Sequence, residues 1–149
     1  MQPTELLAAH YIRTKGTRPS SEEYGTFCSW VFTRFQRIAA KVDFTEREVT
    51  PEFMLLRWQL HGRLLVSTAH NVHPHWLTLQ NKWFRAVHDW DHIQSGAGFD
   101  LGGETQAFAT AAETAPRSIR WILYSEIVLQ AAAAIHTGSF QRQKLVRVV

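Results

Sequence analysis

From Trp76 to Gln94 the chain contains neither glycine nor proline, and its large side chains recur every three or four residues. A segment of that kind must bury one stripe, and an amphipathic helix does so. Ser95-Gly96-Ala97-Gly98 then stops it, because glycine takes up the backbone conformations that end a helix. At ~100° per residue, His88 and His92 lie only ~40° apart on that helix, one turn above each other. Asp89 falls within the same ~100° arc, Asp91 lies on the other flank of His88, and Trp90 points away into packing. One helix thus projects two imidazoles and up to two carboxylates into one small volume, among Trp83, Phe84, Val87, Trp90 and Ile93.

Burying such groups without partners is costly. A metal ion compensates for that cost. A hydrogen-bond network does so too, and a solvated helix face avoids it, so spacing leaves these readings open. A metal needs a further ligand from elsewhere in the fold. The glycine-rich stretch from Gly96 to Gly103 can turn the chain back, and Glu104 then stands at the start of the next helix. Two nitrogens and two carboxylates suit Zn, Mn or Fe better than a thiolate-preferring metal.

The pattern His88-Asp89-Trp90-Asp91-His92, eleven residues, then Glu104, resembles the His-Asp-x-x-His, eleven residues, Glu signature of the coenzyme Q (ubiquinone) biosynthesis protein four family. Leu101-Gly102-Gly103-Glu104 leading into Phe108 is similar to the Gly-Glu and following aromatic of that family. The resemblance covers about residues 84 to 108. It implies an all-helical fold and a metal, zinc above others, held by His88, Asp89, His92 and Glu104. It also implies an apolar pocket for an isoprenoid-type ligand, and a lyase or oxidoreductase type of activity near the head-group step of ubiquinone synthesis.

The remaining punctuation extends the helical reading. Ser20 and Glu23 have the spacing of a capping box, and the residues after them predict an amphipathic helix from about 21 to about 41. A shorter helix from Thr4 to about Arg13 precedes it. Thr50-Pro51-Glu52 opens another, carrying Met54, Leu55, Trp58, Leu60, Leu64 and Leu65. Ser67 to Pro74 reads as a turn. Glu104 to Glu113 is a short helix, and Ala115-Pro116 starts a last one that ends near His136 and Gly138, followed by an extended or frayed tail. No convincing set of alternating strands is present. The expectation is all-α, one compact helical metal-binding domain over residues 1–149, of about five to six helices.

Composition narrows the function classes. Apolar residues make 45% and charged residues 19%, which is globular rather than disordered. The net charge of +3 is spread too thinly for a nucleic-acid arm. Cys28 is the single cysteine, which excludes an internal disulfide and suits the cytoplasm. No apolar stretch suggests a membrane span, so a membrane would be met peripherally. Six Trp and nine Phe offer rings to a core or to a pocket for an apolar or aromatic small molecule or lipid.

Other candidates are weaker. Asp91 and Glu126, the latter among Ile122, Leu123, Ile127 and Leu129, are candidate bases; Glu126 also suits a fifth metal ligand, a supporting role behind a ligand histidine, or an ion pair, the last two favoured. His70, His73 and His75 read as loop or pocket-rim histidines, His61 as a core histidine, and His136 as a complement to its helix's C-terminal dipole. Arg57/Arg63 and Arg117/Arg120 could bind an anionic head group, and read first as solvated charges. The expected functions are an open-site metal protein acting on or binding an aromatic or isoprenoid-type molecule, a scaffold with a structural metal, and, last, a metal-dependent phosphohydrolase.

Overall fold

The computed structural model describes residues 2–148. In chain order its elements are α1 (Pro3–Arg13), α2 (Ser21–Ile38), β1 (Val42–Thr45), α3 (Pro51–His61), β2 (Leu64–Ser67), α4 (Thr78–Ser95), α5 (Leu101–Ala112), α6 (Arg120–Tyr124), a π-helical turn (Ser125–Leu129) and α7 (Gln130–Thr137). The fold is mostly helical, as the periodicity predicts. The chain groups into two compact units. One comprises the chain up to Thr26 and from Ala97 onward, and the other Phe27–Gly96.

Local signals set most helix ends. The backbone N–H of Glu23 donates to Ser20 Oγ (3.0 Å), and the N–H of Ser20 donates to Glu23 Oε1 (2.9 Å), so the capping box is complete. Thr50 Oγ1 accepts from the N–H of Phe53 at 3.2 Å, with Pro51 in the first turn. Gly96 and Gly138 end α4 and α7 with φ of 71° and 79°, in the left-handed region that glycine enters at little cost.

In the first unit, α1 packs along α7, where Ala8 and Ala133 let the backbones approach. Tyr11, Leu129 and Val146 complete that core. The segment after α7 is neither helix nor strand, and it is not frayed: Leu145 and Val146 are fully buried. The N–H of Thr17 donates to Leu145 O (2.7 Å), the N–H of Val146 to Ser125 Oγ (2.9 Å), and Lys144 Nζ to Thr14 O (2.7 Å). Tyr11 OH lies 3.2 Å from both Arg142 O and the Lys144 N–H. Burial pushes its phenol up to about 12, with the Lys144 amide opposing and the charge of Glu126 adding. The helical run Arg117–Thr137 has the length and composition of a membrane span, at a mean hydropathy of 1.2, which the sequence does not lead one to expect. Half of it is buried within the fold, with Ile119, Ile122, Leu123 and Leu129 wholly enclosed.

The second unit holds the unexpected sheet. β1 and β2 pair in parallel, Val42 opposite Leu64 and Thr45 opposite Ser67, with α3 as the crossover. Leu64 and Val66 point inward and alternate with half-buried Leu65 and Ser67. Rings fill the rest: Phe27 stacks on Trp76 at 4.4 Å, Phe35 on Trp83 at 5.7 Å, and Trp58 meets Trp90 edge-on at 5.3 Å.

Glu23 also accepts from Trp121 Nε1 (2.7 Å) and Arg147 Nη2 (3.0 Å). Burial alone would push its carboxyl up, but hydrogen bonds from Ser20, Trp121 and Arg147 outweigh it and hold the carboxyl below its ordinary value. A lowered folded-state pKa contributes stability above the unfolded value, near ~4.3, and that contribution is lost as pH falls through the folded value. Thermal unfolding followed from neutral to acid pH should show this loss. Glu23→Gln should flatten it, and Glu23→Ala should cost about 1–3 kcal/mol at neutral pH.

Candidate metal centre

The candidate site starts from α4. With Gly96 terminating the helix, the face that carries His88 and His92 is its last two turns. The Nε2 atoms of the two rings are 3.2 Å apart and the rings are nearly perpendicular (86°, centroids 4.6 Å apart). Phe84, one turn earlier, lies parallel to the His88 ring (8°, 6.2 Å) and so limits how that imidazole can turn. His92 is buried and His88 half-buried.

Glu104 is placed by the N-terminal turn of α5. Asp100 caps this helix: its Oδ1 accepts from the N–H of Gly103 at 2.7 Å, and its carbonyl accepts from the N–H of Glu104 at 2.9 Å. A Cβ at Gly103 would collide with the backbone of Gly98, so glycine is required there for the 98–103 loop to close. Glu104 therefore sits in the first turn of a helix, where the dipole favours a carboxylate, and is 6% exposed.

His88, His92 and Glu104 are a group that could hold a metal ion. The imidazole spacing fits that use. For metal–nitrogen bonds of about 2.0–2.1 Å, two nitrogens in one tetrahedral shell stand about 3.3 Å apart. An N–H···N hydrogen bond has a similar length, so the donor set matters: two imidazoles and a buried carboxylate are the ligand types of zinc, manganese and iron sites.

The other expected residues stand elsewhere. Asp89 is half-buried and outside the group of three; its charge acts on Arg85, whose pKa is lowered by burial and partly restored by Asp89. Asp91, 2% exposed, receives both arms of Arg34, Nη1 to Oδ2 at 2.8 Å and Nη2 to Oδ1 at 2.7 Å. Glu126 lies in the π-helical turn, which packs against α5. His61 is exposed at the end of α3 rather than in a core, and His136 is exposed in the last turn of α7. His70, at φ 55°, is exposed and 3.5 Å from Glu48. His73, expected at a loop surface or a pocket rim, is buried: it stacks on Trp76 and its Nδ1 accepts from the N–H of His75 at 3.0 Å. Arg57 and Arg63, expected as solvated charges, both reach Asp43, with Arg63 at 2.6 Å.

Arg34 is the residue that sequence reasoning missed. It sits far from Asp91 in the chain, and nothing local in either segment pairs them. No family model, no curated protein and no solved structure matches this chain.

Breaking the Arg34–Asp91 pair leaves an uncompensated charge in a largely enclosed place. Asp91→Ala should cost about 3–5 kcal/mol in urea unfolding, whereas the double change Arg34→Met/Asp91→Leu should cost much less. Gly103→Ala should displace the start of α5 and lower metal uptake at the three-residue group, read by metal content per chain.

Proposed function

We propose that this chain binds a divalent metal through His88, His92 and Glu104. By its resemblance to the coenzyme Q (ubiquinone) biosynthesis protein four family, it uses that centre to bind or act on an aromatic or isoprenoid-type small molecule. Zinc is the metal this reading favours, with Mn and Fe as the alternatives. The observation that carries it is the pair of Nε2 atoms 3.2 Å apart at the end of α4, with the buried carboxylate of Glu104 as the third member of a metal-type donor set.

The chain's own residues would divide the work. His88 and His92 hold the ion from one helix, and Phe84 keeps the His88 ring in place. Glu104 supplies negative charge from a buried helix start, so the ion is only partly neutralised. The ion, when bound, would polarise a hydroxyl, carboxylate or water of the ligand. Of the two carboxylates expected as bases, Glu126 is half-buried in the π-helical turn and its charge acts on Tyr11. Both oxygens of Asp91 are engaged by Arg34, which suits holding the helix rather than taking a proton.

A structural metal is the second reading, and the depth of His92 and Glu104 favours it, since closed shells are buried. Cobalt substitution separates the two: a visible spectrum that responds to added small anions marks an open position, and an inert tetrahedral spectrum marks a closed one.

Elemental analysis after incubation with Zn, Mn or Fe and desalting tests the core claim. About one ion per chain is expected, falling at least tenfold in His88→Ala, His92→Ala and Glu104→Ala. Equal and negligible metal in all four proteins, each folded by circular dichroism, would falsify it. Native mass spectrometry of the purified chain should also show a bound apolar molecule. Its absence would remove the ligand half of the proposal and leave the metal half standing.

A further inference from the structure

Helix α3 carries more apolar surface than its own unit uses. Its sequence suggests a core helix, yet Met54 is its buried residue, at 4% exposure. Phe53, Leu56 and Leu60 are 49%, 49% and 67% exposed. At ~100° per residue these three fall within a ~60° arc turned away from Met54. Three contiguous large side chains on one exposed stripe mark an interaction surface rather than a solvated face.

The spacing and the flanking charges select the occupant. Steps of three and then four place Phe53, Leu56 and Leu60 at a, d and a of a heptad, with Met54 and Trp58 at the positions that face the helix's own fold. Glu52 then falls at g on one flank and Arg57 at e on the other. When two copies pair in parallel, a g residue meets the e residue five positions on in the other copy, so Glu52 meets Arg57, twice by symmetry. Antiparallel pairing would set Arg57 against Arg57. Arg57 can make the exchange. Its contact with Asp43 is long, at 3.5 Å, and Asp43 stays satisfied by Arg63 at 2.6 and 3.0 Å. A lipid surface fits less well, because the exposed Glu52 borders the stripe.

We propose that α3 is a self-association surface, on which two copies of this chain pair through parallel α3 helices, with Phe53, Leu56 and Leu60 at the seam and Glu52–Arg57 ion pairs across it. The inference is independent of the metal centre, and no residue of that centre enters it.

Sedimentation velocity of the full chain over a wide concentration range tests it. A monomer–dimer equilibrium is expected, shifted at least tenfold toward monomer in Leu60→Glu. Direction is read in a Cys28→Ser background: Phe53→Cys, Leu56→Cys and Leu60→Cys should each form a disulfide-linked dimer on mild oxidation, because parallel pairing sets each position against itself. Cross-linking at Leu56 alone would mean antiparallel pairing and overturn the assignment. A chain that stays monomeric at every concentration overturns it as well, and so does a monomer that instead sediments with anionic vesicles. Should Leu60→Glu fail to fold, the three cysteine variants still decide.

Discussion

Asp91 can lie buried because Arg34 meets both of its oxygens. That pair fixes more than one charge. A helix is a rigid rod at ~100° per residue, so pointing Asp91 at α2 also determines where every other residue of α4 points. His88 and His92 are thereby set at ~60° and ~100° around the helix from Asp91, and Trp90 is sent toward Trp58. A less specific contact, such as a slab of aliphatic side chains, would let α4 roll by a fraction of a turn. A bidentate guanidinium–carboxylate pair does not tolerate that roll, because both hydrogen bonds depend on one plane.

What was legible in the sequence is what depends on near neighbours. The Ser20–Glu23 box, the Thr50 cap and the glycines after α4 and α7 are local devices, and each acts where it stands in the chain. The β1–β2 pair was not legible. Its strands are four residues each, and their pairing is parallel across a helix, so neither shows a sustained alternation. The order of the tail after α7 was hidden for the same reason: Leu145 and Val146 are held by Tyr11, Thr17 and Ser125, which lie far away in sequence.

The candidate centre divides along the same line. His88 and His92 belong to one helical turn, and their convergence follows from spacing alone. Glu104 followed from the glycine-rich stretch Gly96 to Gly103, which can turn the chain back, whereas the close approach of Gly103 to Gly98 shows only in the fold. Asp89 shares the arc of the histidines on a helical wheel, yet it stands outside their group, because a wheel gives direction and not reach. His73 shows the converse. A turn rich in polar residues suggested exposure, and stacking on Trp76, itself stacked on Phe27, drew it inside.

The division of the chain has a consequence for the order in which its parts can form. Phe27–Gly96 is continuous, so its contacts close over loops of modest length. The other unit joins the stretch before Thr26 to the stretch after Ala97, and its core needs Val146 beside Ala8. On a ribosome the middle stretch can therefore fold while α1 is still without the partner it packs on. Until residues 142–146 emerge, Tyr11 and its neighbours are apolar surface waiting in water, which is the interval in which such a chain is most exposed to aggregation and to chaperones.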